Sequence, residues 1–250
     1  MDVTSVATCF VCATILGLGI GIGGMLDPTA AQRLFASPVL LYSNVITTDQ
    51  IDFTLMIVFM SGLFTNFILY HIIIRVLKKP IFGHNFSIPT NTVIDFKLIF
   101  GSVLFGLGWA LGGYCPGPGV ISLANGDHSA LLFSLFMFAG MSMYKRSITK
   151  KPPSKEVIIS LLLVASIGLG FYASREIPSR NSSFTPFLPS WSQLDQQIIG
   201  GSMIGIAVAL MMLLQGKILG ISGILSGLFD STSSDKIYRL SFLFGLLFAG

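Results

Sequence analysis

The sequence predicts an all-α polytopic membrane protein, with about six to seven transmembrane helices and re-entrant half-helices built from pseudo-repeats. Three observations carry that expectation. Apolar residues make up 52% of the chain and charged residues only 10%, against about 25% charged in soluble domains; the mean hydropathy is +0.80. Apolar runs approaching the length of a membrane crossing recur along the whole chain. Glycine- and proline-rich breaks interrupt those runs, where backbone groups freed inside a bilayer need protein or a water-filled path to satisfy them.

In order, the runs fall near 6–24, 53–74, 95–113, 129–144, 156–173 and 198–215. A seventh begins near Ile237 and ends at Gly250, short of the ~20 residues a helix needs to cross. The C-terminal unit is therefore expected to be incomplete at its end. Between the first two runs, Pro28-Thr-Ala-Ala-Gln-Arg-Leu-Phe35 reads as a short amphipathic helix, with Asp27 as its cap and Pro28 in its first turn. The stretch 174–197 reads as an external loop. Pro152-Pro153 divides an N-terminal transmembrane unit, 1–151, from a C-terminal one, 152–250.

The basic residues sit in short loops, so the net charge of +4 is a topology signal and not a nucleic-acid face. Twelve Lys and Arg fall on one side, including Arg75, Lys78, Lys97, Lys145, Lys217 and Arg239. Only Arg33, Arg175 and Arg180 fall on the other. The positive-inside rule then puts the N-terminus in the cytoplasm, with the plasma (inner) membrane as the expected location. Asp2 and the lack of a basic N-terminal region speak against a cleaved signal peptide.

The sharpest break is Gly106-Leu-Gly-Trp-Ala-Leu-Gly-Gly-Tyr-Cys-Pro-Gly-Pro-Gly-Val120. Gly113, Pro116, Gly117, Pro118 and Gly119 surround a single thiol, Cys115, and Val120–Ala124 is expected to form a half-helix closed by Asn125-Gly-Asp127. At an offset of 89 residues, Gly17, Gly19, Gly23 and Gly24 align with Gly106, Gly108, Gly112 and Gly113. A third break, Gln215-Gly-Lys-Ile-Leu-Gly-Ile-Ser-Gly-Ile-Leu-Ser-Gly-Leu-Phe-Asp230, follows a run of opposite direction and offers Gly220, Ser222 and Gly223. Opposed broken helices are the pattern of inverted-repeat transporters. The glycines at 17, 19, 21, 106 and 108 also suit close helix packing.

These motifs resemble the YeeE/YedE sulphur-transport family. Phe105 to Pro118 is similar to its Gly-x-Cys-Pro-Gly-Pro signature, Gly23-Gly-Met-Leu-Asp-Pro28 to its first motif, and Gly216-Lys-Ile-Leu-Gly-Ile-Ser-Gly-Ile224 with Tyr238-Arg-Leu-Ser-Phe-Leu-Phe-Gly245 to a later element and the helix after it. The resemblance implies uptake of thiosulfate or a related sulphur anion through facing half-helices and a narrow path lined partly by cysteines. Ser222 stands where a second thiol could be, and a further glycine-cysteine element of the family is absent from the sequence.

The expected path residues are Cys115, Gly113, Pro116, Gly117, Gly119, Gly220, Ser222 and Gly223, with Asp27, Arg33 and His128 at an outer mouth. The amides of Gly117, Gly119 and Val120, and those from Gly220 to Gly223, are the expected anion donors. None of the eleven acidic residues lies mid-span, which favours a facilitator over a proton-coupled carrier. Cys9 and Cys12 share a helix face but have no His or carboxylate near in sequence, so packing is expected rather than a metal. Trp109 is expected to be a packing anchor. No enzyme motif, cofactor or metal pattern is present. The expected partners are the sulphur anion, the lipid bilayer, and a second membrane chain or sulphur-carrier protein, with no nucleic acid. Two other readings remain open at this point: a pore for another small solute, and a non-transporting or partner-dependent subunit in sulphur relay.

Overall fold

Helices fill the computed structural model, which describes residues 3–42, 53–83, 85–87, 92–148, 192–227 and 236–250. Nine are found among the described residues: α1 (Val3–Ile22), α2 (Pro28–Tyr42), α3 (Thr54–Val76), α4 (Phe96–Gly112), α5 (Pro116–Ala124), α6 (His128–Ile148), α7 (Gln193–Gln215), α8 (Ile221–Ser226) and α9 (Lys236–Phe248). The only strand-like pairing among these residues is an isolated bridge between Ser87 and Lys217. Among the described residues four segments are long and apolar enough to cross a membrane: Val3–Ile22, Thr54–Val76, Phe96–Ala124 and Gln193–Gln215. The expected fifth run, 156–173, and the Pro152-Pro153 linker lie outside the described residues.

Glycine ends α4 and α7, whereas α3 ends at Leu77 in extended backbone. Gly113 closes α4 at φ 74° and Gly216 closes α7 at φ 70°, each sending its amide back to the final turn. Left-handed backbone costs glycine little, and it satisfies carbonyls that a helix end leaves open. Gly24, just past α1, has φ 73°. Gly24 and Gly113 are thus aligned by the 89-residue offset and share one conformation. At the opposite ends, Asp95 accepts from the Leu98 amide at 2.9 Å, and Ser192 accepts from the Asp195 amide.

Three expectations about boundaries change. The helix begun at Pro28 runs to Tyr42, not Phe35. α7 starts at Gln193 because Ser192 caps it there, so residues 193–197 are helical rather than loop. α5 begins at Pro116, not Val120. Prolines in a first turn forfeit no intrahelical bond, so Pro116 and Pro118 start this helix where they would have broken an interior.

The core forms around α1. Gln215 Nε2 donates to Ser5 O at 2.6 Å and Thr8 Oγ1 at 3.0 Å, while Gly200 packs on Gly19 and Gly23 at the other end; α1 and α7 are therefore antiparallel. α3 runs parallel to α7, joined at their starts by Gln197 Nε2 to Thr54 Oγ1 at 2.9 Å. Beyond α3 the chain lies over the end of α7, where Ile81 and Phe82 amides donate to Leu213 and Leu214 carbonyls at 3.0 and 2.8 Å. These are carbonyls that the helix itself cannot pair. α9 runs parallel to α1, with Ser241 Oγ donating to Val6 O at 3.2 Å and Thr14 Oγ1 to Gly245 O at 3.3 Å.

Glycine sets the spacing of this bundle. A Cβ on Gly19 would meet Gly200 O at 2.8 Å, and one on Gly62 would meet Gly201 O at 2.9 Å. Backbones can approach this closely only where both helices offer small residues. Cys9, Cys12, Leu16, Met211, Phe242 and Leu246 fill the interior. α4 contrasts with all of this, burying none of its residues among those described.

Candidate functional site

The site grows from the α4–α5 break. Gly113 has φ 74°, and a Cβ there would also fall 2.5 Å from Pro28 O, so glycine is required on two counts. The chain then turns through Tyr114, which is 2% exposed and whose hydroxyl donates to Asp127 Oδ2. Asp127 Oδ1 accepts from the Ser129 amide at 2.9 Å. One carboxylate therefore starts α6 and ties the residues before α5 to those after it.

Cys115 occupies the N-cap of α5 and is half-buried. Its carbonyl accepts from the Gly119 amide at 2.9 Å. Its sulphur makes no capping hydrogen bond. Pro116 and Pro118 have no N–H, and Gly119 is committed to Cys115. Gly117 is thus the donor that the first turn of α5 has left. Expecting donors from Gly119 and Val120 as well counted amides the helix consumes, because α5 begins earlier than the sequence suggested.

Close packing fixes the position of α5. A Cβ on Gly119 would lie 2.7 Å from the Phe133 ring, and Ser134 Oγ donates to Gly119 O at 3.3 Å. A Cβ on Gly117 would lie 2.6 Å from Ile221 Cδ1 and 3.2 Å from Ile20 Cδ1. Ile221 is the first residue of α8. The two short helices therefore meet start to start, with Cys115 capping one of them.

On α8 the first backbone bond within the turn is from the Ile224 amide to Gly220 O at 2.9 Å. The amides of Ile221, Ser222 and Gly223 precede it and have no partner within the helix. Gly220, Ser222 and Gly223 are exposed, and no described atom lies within 4 Å of where a Cβ on either glycine would sit.

The outer-mouth residues separate. Asp27 and Arg33 line an open cleft of about 730 Å³ with Thr54, Gln193, Gln196 and Gln197, where α1, α2, α3 and α7 converge. Neither His128 nor any residue of α5 or α8 lines it. Asp27 Oδ1 accepts from the Thr29 amide at 2.9 Å, and Arg33 Nη2 donates to Thr29 Oγ1 at 2.9 Å. His128 instead begins α6.

Other candidates resolve into packing. Cys9 and Cys12 are 0% and 1% exposed, and the Cys9 thiol points at Tyr238 O. Trp109 packs edge-on against Phe35 and Phe59 at centroid distances of 5.0 and 5.7 Å. Among the described residues no group of three or more His, Cys, Asp or Glu could hold a metal ion. Sequence reasoning did not find Ile221, Phe133 or Arg239 as neighbours of the short helices α5 and α8. Ile221 and Phe133 are ordinary apolar residues in apolar runs, and Arg239 reads as a topology charge and as part of the Tyr238–Gly245 motif, neither of which says what its guanidinium grips.

An apolar α-helical protein with helices able to span a bilayer is the class these features define. Residues 4–153 match the family of unknown function DUF6691, and the chain belongs to that family. Two relatives named "Probable transporter" come from Xylella fastidiosa, strains Temecula1 and 9a5c. They are 45% and 43% identical over 76 residues, 30% of this chain and 51% and 52% of theirs. The match thus spans about half the length of those relatives. No solved structure matches the chain.

Proposed function

We propose that the chain is a membrane transport protein for a small sulphur-containing anion, most directly thiosulfate, which passes Cys115 where α5 and α8 meet. The observation that carries this reading is the approach of Ile221 to Gly117, which sets two half-helix starts together beside one thiol. The relatives named probable transporters support the general activity. The resemblance to the YeeE/YedE motifs supports the substrate.

The chemistry suits the groups present. Thiosulfate is a divalent anion with a soft terminal sulphur. It needs donors that partly replace its water without a fixed cation that would trap it. The Gly117 amide and those opening α8 are neutral donors, and a thiol is a weak donor matched to sulphur. The Cys115 thiol would therefore meet the substrate without forming a covalent bond. Asp27 and Arg33, in their separate cleft, would act before the path and not within it.

A second reading has its own support. α4 buries no residue among those described, and no described atom lies within 4 Å of a Cβ on Gly220 or Gly223 at the start of α8. A subunit that completes its path with another membrane chain would present such faces. Radiolabelled thiosulfate uptake by cells producing the chain alone tests both readings. Uptake that a Cys115→Ala variant loses supports the first. No uptake from folded protein, together with co-purification of a second membrane chain, supports the other.

A further inference from the structure

α8 has six residues and no side-chain cap at its start. A helix this short does not sustain itself, since nucleation costs more than so few bonds return. Its position comes from packing, since Ile224 and Leu225 are buried in the core, and from what grips its two ends. At the start, Ile221 Cδ1 fills the space that a Cβ on Gly117 would need. At the finish, Arg239 of α9 donates from Nη1 to Gly223 O at 2.9 Å and to Ile224 O at 3.1 Å. The guanidinium lies directly on Gly227, so a Cβ there would overlap Nη1 and Cζ. Arg239 Nε is buried with no hydrogen-bond partner. Burying a guanidinium donor unpaired is costly, so the side chain holds this pose for the carbonyls that Nη1 reaches. A cation at a helix C-terminus also meets the negative end of its dipole.

We propose that Arg239 is a positioning residue that holds α8 against Gly117 and thereby sets the environment of Cys115. Gly227 is its counterpart, kept free of a side chain so that the guanidinium can reach the carbonyls. α8 is a strut between the two contacts. Arg239 touches no substrate; it acts through the half-helix. Its effect on transport rests on the path proposed above, whereas its effect on the exposure of Cys115 does not.

Thiol labelling of the full chain in membranes tests this. N-ethylmaleimide labelling would be read at each cysteine by peptide mass spectrometry. Cys9 and Cys12 are 0% and 1% exposed, so they report unfolding while Cys115 reports the junction. Arg239→Met and Gly227→Ala are expected to speed Cys115 labelling about tenfold, the loss of one charge-assisted contact, with Cys9 and Cys12 still protected. Arg239→Lys, which keeps a cation at the carbonyls, is expected to stay within about threefold of wild type. In the same preparations Arg239→Met is expected to raise the half-saturating thiosulfate concentration, and Arg239→Lys to recover it.

An unchanged Cys115 rate in both Arg239→Met and Gly227→Ala, with the other thiols protected, would overturn the proposal. Labelling of all three cysteines in every variant would overturn it too, making Arg239 a folding residue. Labelling needs no substrate. A shifted rate with no thiosulfate uptake by wild type would therefore sink the transport reading and leave the strut standing.

Discussion

Gly117 shows how tightly single residues set the junction. A methyl group there meets Ile221 Cδ1 at 2.6 Å and Ile20 Cδ1 at 3.2 Å, both ends of flexible side chains. Gly117→Ala should therefore fold, at a cost of about 1–3 kcal/mol for overpacking, with thiosulfate uptake reduced as α8 is pushed away. Ile221→Val removes the clashing carbon, so Gly117→Ala/Ile221→Val should recover most of the lost uptake. A double-mutant cycle on uptake and Tm measures the coupling, and strict additivity would mean that the two residues do not meet. Tyr114→Phe should cost about 1–3 kcal/mol by leaving a buried donor–acceptor pair unmade, because its hydroxyl links both sides of α5 through Asp127. Thermal unfolding in detergent checks this, and an unchanged Tm would show that Asp127 acts through Ser129 alone. Of this layer, Cys115, its glycines and its prolines were legible in the sequence, because thiol, Gly and Pro in one break are unusual. Ile221 was not, since nothing in an apolar sequence states which isoleucine fills which gap.

Among the elements, the glycines that looked alike divide into two kinds. Gly17 and Gly19 lie in crowded contacts of α1: a Cβ on Gly17 would be 2.5 Å from Ala249 Cβ, and one on Gly19 would be 2.8 Å from Gly200 O. Gly106 and Gly108 of α4 have no described atom within 4 Å of a Cβ, although the repeat pairs them with Gly17 and Gly19. A sequence repeat can preserve helix endings without preserving contacts, as the shared φ of Gly24 and Gly113 illustrates. Two substitutions separate the kinds. Gly200→Ala would drive a methyl group into the backbone of Gly19 and Gly23, which no rotamer change relieves. It should destabilise by about 3 kcal/mol or more. Gly101→Ala in α4 meets no described atom and should be neutral or stabilising by about 0.5–1 kcal/mol. Tm measurements on the pair decide this, and a similar loss from both would mean that α4 is packed after all. The short helices α5 and α8 were legible as breaks, but their boundaries were not. Proline opens α5 rather than preceding it, which changes which amides remain available.

At the scale of the molecule, helical content and apolar character were legible from composition, because a bilayer imposes the same solvent on every span. The antiparallel pairing of α1 and α7 is read from their contacts; the run 156–173, on which the alternation of crossings between them depends, lies outside the described residues. What composition could not give is who covers α4. Its exposed apolar residues, from Phe96 to Leu111, suit lipid as well as another chain, since both are apolar surroundings. The proposed path past Cys115 rests on the convergence of two observations, the resemblance to sulphur transporters and the start-to-start meeting of α5 and α8; the family that matches residues 4–153 is one of unknown function. Radiolabelled thiosulfate uptake by cells producing the wild-type chain, beside Cys115→Ala made in equal amount, tests that convergence most directly. The account predicts uptake by the wild type, competed by unlabelled thiosulfate and lost with the thiol. Equal uptake by both proteins would contradict a path past Cys115.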